Sequence, residues 1–380
     1  MDFLLSGNLD IVPDFRHEYG KAYLFAGELE TAKQLGMAVL GHRRNTLGDD
    51  HLDTLEAMHW VAWIYQELGK LQEAEDLGVL VVSKRSGVLG EHHPVTLEST
   101  GDLAIVLGRL GRLREAEKLE VAVLKTRRHI LGEDHPETLR TMSNLAHTYN
   151  TLGRLQEAEA LNLEVLERRR KILGHNHPDT LLSMKNLALT YNRLGRFREA
   201  EVLEVAVLQQ RKSSLGENHP ETMLSMNNLA GTYYELERLQ EAEDLGIIVL
   251  KKRRSILGEN HPDTVISMAN LAMTYNKVGR SLEAEALLVE ALKKQTNLLG
   301  DSHPSTLRTQ SKLGSTFNKL EQWQEAEDLL IPALEKQKDL LSANHPHIVD
   351  TLRSLAVTFT KLGKLKEAED LNEALKRLEV

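Results

Sequence analysis

Residues 135–176 read HPETLRTMSNLAHTYNTLGRLQEAEALNLEVLERRRKILGHN. Leu139, Met142, Leu145, Ala146, Tyr149 and Leu152 recur at three- and four-residue steps, the spacing of one amphipathic helix, termed helix A. It starts at His135-Pro136-Glu137. Proline suits the first helical position, where its missing N–H costs nothing, and the following acid faces the positive end of the helix dipole. Gly153 ends helix A, because glycine takes the left-handed conformation without penalty. Helix B is expected from about Leu155 to Leu173, with Ala158, Leu161 and Val165 inward. It opens on Glu157 and Glu159 and closes on Arg168, Arg169, Arg170 and Lys171, again matching the dipole, and Gly174 ends it.

This unit repeats. His-Pro occurs at His93, His135, His177, His219, His261, His303 and His345, always 42 residues apart, and His51 keeps the histidine without the proline. Glu-Ala-Glu recurs in the same register, beginning at Glu73, Glu115, Glu157, Glu199, Glu241, Glu283, Glu325 and Glu367, with a degenerate copy at Thr31-Ala32-Lys33. Nine helix pairs joined by eight loops follow, with no insertion or deletion. The counterparts of Ala146 (Ala62, Ala104, Ala188, Ala230, Ala272, Gly314, Ala356) and of Ala158 (Ala74 through Ala368) are small, so paired helices can cross closely. Such pairs cannot bury their stripes alone and must stack on their neighbours.

The pattern L-A-x-x-Y-x-x-x-G-R-x-x-E-A-E-x-L, from Leu145 to Leu161, resembles a tetratricopeptide repeat. The 42-residue length and the L-G-x-x-H-P loop resemble the kinesin-light-chain type of that repeat. The resemblance covers about residue 14 to 380 and implies an all-α fold, a right-handed α-solenoid of about nine stacked helix-turn-helix repeats. HEAT or armadillo repeats of similar length do not predict the Glu-Ala-Glu pattern. The expected organisation is an N-terminal extension, 1–13, and one solenoid, 14–380. The solenoid comprises a degenerate first pair (14–48), regular repeats (49–364) and a capping helix (365–380). Glu237 and Glu321 stand where other units carry the turn glycine, a costly exchange if positive φ is kept.

Composition narrows the function. The chain has 380 residues, 47 basic and 56 acidic, for a net charge of −9, and no cysteine. The acidic balance disfavours nonspecific nucleic-acid binding, and 4% aromatics are too few for base-stacking platforms. Lack of cysteine removes disulfides, thiolate metal sites and cysteine nucleophiles. No apolar run is long enough to span a membrane, and Asp2 with a short apolar run does not make a signal peptide. A cytoplasmic, non-membrane protein is the expectation. No P-loop, dinucleotide, H-E-x-x-H or G-x-S-x-G motif occurs, and the recurrent carboxylates do not converge, so no enzyme, cofactor or metal is expected. The histidine ladder cannot share a metal, because equivalent atoms lie at least about 8–10 Å apart. It is read as a set of helix-entry residues.

Stacked repeats offer an extended face for binding. By resemblance, helix A lines that face, and an Asn one residue before the Leu-Ala pair holds peptide ligands; this chain has Asn144, Asn186, Asn228 and Asn270 there. A second polar position six residues on, read as facing the same way, carries Asn150, Asn192, Tyr234, Asn276 and Asn318. An amide donates and accepts, so it can clamp a peptide backbone. Inward charges of the first two full units are Glu56, Glu67, Glu98 and Asp102 against Arg109. Later units carry Arg140, Lys185, Arg193, Lys277, Arg308, Lys312, Lys319, Arg353 and Lys361 against Glu235 and Asp350. A basic cleft in an acidic chain concentrates acidic partners. The expected groove residues are therefore Asn144, Asn150, Lys185, Asn186, Asn192, Arg193, Asn228, Asn270, Asn276, Lys277, Arg308 and Lys312, and the expected partner is an acidic protein or peptide segment. Trp60 and Trp63 are read either as an aromatic anchor or as packing against the N-terminal half-repeat. Two other readings are a sensor arm of a larger nucleotide-binding receptor, since the chain begins inside a repeat, and a self-assembling solenoid.

Overall fold

The computed structural model describes residues 29–340 and 345–378. The extension 1–13, the start of the degenerate first pair before Leu29, and residues 341–344 and 379–380 lie outside the described residues. Among those described there are seventeen helices and no strand. They are α1 (Leu29–Leu47), α2 (Leu52–Glu67), α3 (Leu71–Leu89), α4 (Pro94–Arg109), α5 (Leu113–Leu131), α6 (Pro136–Thr151), α7 (Leu155–Leu173), α8 (Pro178–Arg193) and α9 (Phe197–Leu215). They continue with α10 (Pro220–Glu235), α11 (Leu239–Ile256), α12 (Pro262–Val278), α13 (Ser281–Leu299), α14 (Pro304–Lys319), α15 (Trp323–Leu340), α16 (Pro346–Lys361) and α17 (Leu365–Leu378). Even-numbered helices are A helices and odd-numbered ones B helices, stacked as antiparallel pairs in an all-α solenoid. The chain divides into two compact units, one ending at Thr190 and the other beginning at Tyr191, both positions on α8. Within each unit, A helices pack on the flanking B helices. Successive A helices also touch one another, as α4 touches α6 and α14 touches α16, whereas successive B helices stay further apart.

The histidine ladder is a ladder of helix caps. In all eight loops the imidazole Nδ1 accepts from the backbone N–H two residues on, from His51 (3.2 Å) and His93 (3.3 Å) to His303 (3.1 Å) and His345 (3.2 Å). Each cap satisfies one of the orphan donors of the following helix A.

The A-to-B turn explains the rest of the repeat pattern. Gly153 sits at φ 79°, and the Arg154 N–H donates to the Tyr149 carbonyl at 2.9 Å, closing a C-terminal capping turn. The same turn aims the Arg154 guanidinium over the Tyr149 ring, 4.1 Å from its centroid. Arg154 then pairs with Glu157, the first acid of its own Glu-Ala-Glu, and with Glu117, the last acid of the preceding one. Arg112–Glu75, Arg238–Glu201, Arg280–Glu243 and Lys364–Glu327 repeat the inter-repeat link at the same 37-residue separation. Gln322 breaks the series, and Glu285, its would-be partner, has none among the described residues. The alanine between the two acids is buried in each copy from Ala74 to Ala368, where a larger side chain would push the pair apart. At Gly314 even a methyl does not fit: a Cβ there would lie 2.4 Å from Cγ of Leu330.

The basic runs at the ends of B helices do more than complement a dipole. Arg127, Arg169, Arg211 and Arg253 are buried, and each reaches into the next helix A. Arg169 donates to the Ser183 hydroxyl at 2.9 Å and to the Asp179 carbonyl at 3.1 Å, and Arg253 bonds Ser267 and the Asp263 carbonyl in the same way. Arg127 and Arg211 add ion pairs to Glu137 (3.1 Å) and Glu221 (2.6 Å).

Two buried acids are not paired with a base. Glu120 is 3% and Glu204 5% exposed, and one carboxylate oxygen of each lacks a hydrogen bond. Burial pushes both carboxyls up to about 7, against the pull of Thr148 for Glu120 and of Thr232 and Asn192 for Glu204. A carboxyl raised in the folded state binds more protons there than in the unfolded chain, so its contribution is lost as pH rises from the unfolded value toward 7. Glu120→Gln and Glu204→Gln should match wild-type stability near pH 4.5 and exceed it by about 1–3 kcal/mol each at pH 8. Urea denaturation at the two pH values measures this, and an unchanged difference would refute it.

Glu237 and Glu321 do keep the glycine conformation, at φ 60° and 61°. The left-handed strain is about 1–2 kcal/mol for a residue with a Cβ, and glycine's extra chain entropy returns about 0.5–1 of it. Glu237→Gly and Glu321→Gly should each stabilise the protein by roughly 0.5–1 kcal/mol in a thermal melt.

Candidate functional site

On each A helix the residues aligned with Arg140, Asn144, His147 and Thr151 follow steps of four, three and four, so they form one stripe. Asn144, Asn186 and Asn228 lie on this stripe, half-buried, and their side chains make no hydrogen bond among the described residues. Asn270 shares the position but is engaged: its Nδ2 donates to Asn227 Oδ1 at 3.3 Å, and its Oδ1 accepts from Lys312 Nζ at 3.3 Å. The equivalent pairing in the first unit is His59 with Asp102, at 2.9 Å.

The second asparagine position faces elsewhere. Six residues of helix turn through about 600°, which leaves Asn150 about 120° away from Asn144. Asn150 is 2% and Asn276 4% exposed. Asn150 donates to the Thr190 hydroxyl at 2.9 Å, Asn192 to Thr232 at 2.9 Å and Asn276 to Thr316 at 2.7 Å, each linking one helix A to the next. Asn318 donates to the Ser354 carbonyl and accepts from Thr358. The expectation that Asn150, Asn192 and Asn276 share the exposed face with Asn144 is therefore corrected: they sit in the seam between A helices. The pairing threonine 40 residues on was the signal in the sequence, as Thr190, Thr232, Thr316 and Thr358 all answer an asparagine.

Lys277 is likewise committed. Its Nζ donates to the Tyr234 carbonyl at 3.1 Å and lies 4.4 Å from the centroid of that ring. Lys319 caps the Asn276 carbonyl at 2.7 Å, and Arg109 the Gln66 carbonyl at 3.2 Å. These cations satisfy the last carbonyls of the preceding helix A, where positive charge is favoured. Lys185 is half-buried midway along α8, and Arg193 is exposed at its end.

The charges of the first unit largely satisfy one another. Asp102 pairs with His59 and lies 3.8 Å from Arg140, Glu56 pairs with Arg85, and Glu67 lies 3.5 Å from Arg109. In the second unit Arg308, half-buried on α14, has neither hydrogen bond nor ion pair among the described residues, and burial lowers its pKa. The two tryptophans divide. Trp60 packs on Gly36 of α1, where a Cβ would meet the ring at 2.9 Å, whereas Trp63 stays 38% exposed. Trp63 lines a small recess with His59, Ala62, Gly78, Asp102 and Leu103.

The two asparagine positions should separate by stability. Asn192→Ala should cost about 1–2 kcal/mol by leaving the Thr232 end of its bond unmade, while Asn186→Ala should change stability by less than about 0.5 kcal/mol. Equal losses in urea denaturation would overturn this assignment.

Tetratricopeptide repeat families match residues 15–79, 121–170, 137–204, 268–330 and 305–378, with a second repeat family at 96–137 and 222–263. Among solved structures, the nearly identical TPR-like repeats of a putative kinesin light chain from Podosopora anserina are 30% identical. That match covers 53% of this chain and 96% of the other, with a TM-score of 0.44. The apo form of RapI is 12% identical over 97% of both chains, with a TM-score of 0.62. A Rap protein complexed with competence and sporulation factor is 14% identical over 95% of this chain and 99% of the other, at a TM-score of 0.58. No curated protein matches the chain in sequence. No described helix is long and apolar enough to cross a membrane, and no group of acidic or histidine side chains among the described residues could hold a metal ion. With matches along most of its length, the chain belongs to the tetratricopeptide-repeat family.

Proposed function

We propose that this protein is a non-enzymatic scaffold that holds an acidic peptide segment against its A-helix faces. The supporting observation is the contrast between its two asparagine sets. Asn150, Asn192, Asn276 and Asn318 bond to the next repeat, whereas Asn144, Asn186 and Asn228 are half-buried with their amides unengaged. A half-buried amide that the fold does not use is suited to an extended backbone, donating to its carbonyl and accepting from its N–H. The preference for acid rests on the second unit, where Arg308 has no ion pair among the described residues and Lys312 hydrogen-bonds a neutral amide, with Asp350 as its acidic neighbour. The complex of a Rap protein with competence and sporulation factor is consistent with a face of this fold receiving a ligand.

The test is capture from cell extract by the wild type and by Asn186→Ala/Asn228→Ala, after circular dichroism shows equal folding. The expected result is an acidic partner held by the wild type, lost by the double variant, and weakened as salt shortens the Debye length from about 30 Å to about 8 Å. Identical capture by both proteins would place binding elsewhere and overturn the reading.

A further inference from the structure

The seams between A helices differ at one position. Asn150 of α6 and Asn162 of α7 both donate to the Thr190 hydroxyl of α8, at 2.9 and 3.0 Å. One repeat on, Asn192 of α8 donates to Thr232 of α10 at 2.9 Å and to a Glu204 carboxylate oxygen of α9 at 3.3 Å. One repeat earlier, the aligned residues are Gly108 of α4, Glu120 of α5 and Thr148 of α6. The carboxyl and the hydroxyl are kept, and the amide is replaced by a hydrogen atom. Thr148 bonds the Glu120 carboxyl, whose Oε2 has no partner among the described residues.

Packing does not explain this glycine. Gly108 lies inside α4, and a Cβ built on it would meet nothing within 4 Å. A glycine within a helix costs stability relative to alanine. Gly108 is half-buried, whereas Glu120 is 3% exposed. In the aligned pair, the Asn192 amide crosses the equivalent space to reach its carboxylate. The first unit therefore has a notch one side chain deep, open over Gly108 and floored by a buried acid.

The surroundings of the notch favour a cation with N–H donors. Burial raises the Glu120 carboxyl, Thr148 opposes that, and the charge acting on it is the negative one of Glu117. Arg109, the next residue of α4, turns to the preceding helix A, donating to the Gln66 carbonyl at 3.2 Å and lying 3.5 Å from Glu67. No group of three metal-ligating side chains exists among the described residues, so a metal ion is poorly served. A guanidinium is wider than the amide that fills the aligned position. An ammonium is compact, and its three N–H donors suffice for both carboxylate oxygens and the hydroxyl.

We infer that the notch at Gly108, floored by the Glu120 carboxylate and the Thr148 hydroxyl, is a binding site for one primary ammonium group, carried by a free amine or by a lysine side chain. The site lies in a seam of the first unit, off the stripe of Asn144, and does not depend on the acidic-segment reading.

The probe is methylammonium chloride, titrated into the full chain at pH 8 and fixed ionic strength and read by saturation-transfer NMR of its methyl signal. Tetramethylammonium, with the same charge and no N–H, is the control. The wild type should bind methylammonium saturably with a Kd on the order of 10 mM, close to the limit for two heavy atoms, and should not bind tetramethylammonium. Gly108→Asn restores the amide and Glu120→Gln removes the charge, and each should weaken binding by roughly tenfold or more. Gly101→Asn, at the other open glycine of α4, should leave it unchanged. Circular dichroism confirms the fold of every variant. Competition by Nα-acetyl-lysine methylamide would assign the notch to a lysine side chain; methylammonium binding without that competition would assign it to free amines. Absence of saturable binding by the wild type, equal binding of tetramethylammonium, or affinity retained in Gly108→Asn or in Glu120→Gln overturns the inference.

Discussion

The residue that follows the A-to-B turn governs how most of the repeats meet. Arg154, Arg238 and Arg280 stand just after a left-handed turn, lie over a tyrosine of the helix just ended, and grip an acid on each side. A single exposed ion pair contributes little. Here the guanidinium is placed by a backbone hydrogen bond and by the aromatic ring before it meets either carboxylate, so little side-chain freedom remains to be lost. The buried arginines at the other end of helix B act alike: Arg169 and Arg253 tie the end of one repeat to the first turn of the next. Every such link spans one repeat boundary, which makes the stability of each unit a sum over neighbours rather than a property of one central core.

The fold was legible because its signals are periodic and local. His-Pro, the turn glycine, the small alanine and Glu-Ala-Glu each do their work within a few residues or one repeat, and a constant 42-residue step puts every copy in the same surroundings. The candidate face was only half legible. Asn144 and Asn150 are the same residue type in the same helix, and composition cannot say which meets solvent and which meets Thr190. Helical rotation distinguishes them, as six residues do not return to one face. Lys277 was misjudged for a different reason. Its position near the end of α12 is exposed by periodicity, but the long side chain bends back to the carbonyls of α10, a contact set by how two repeats stack.

The charge pattern carries a similar lesson. Counting signs along the sequence separated an acidic beginning from a basic remainder, and the side chains refine that count. In the first unit Glu56 and Glu67 have an arginine partner, Arg85 and Arg109, and Asp102 lies between His59 and Arg140. In the second unit Lys277 and Lys319 are spent on helix ends, and Arg308 has no ion pair among the described residues. What distinguishes the two faces is thus the fraction of charge that the fold itself already uses.

The break at Gln322 has a mechanical meaning. Links that join only adjacent repeats carry tension in series, so a load along the second unit passes through Arg238–Glu201, Arg280–Glu243 and Lys364–Glu327 in turn. Between the last two it meets Gln322 and Glu285, where there is no ionic link, next to a turn already strained at Glu321. Cohesion at that joint falls instead to apolar packing, with Leu288 and Ala291 of α13 in one cluster with Leu313 of α14 and Phe317 and Leu329 against it.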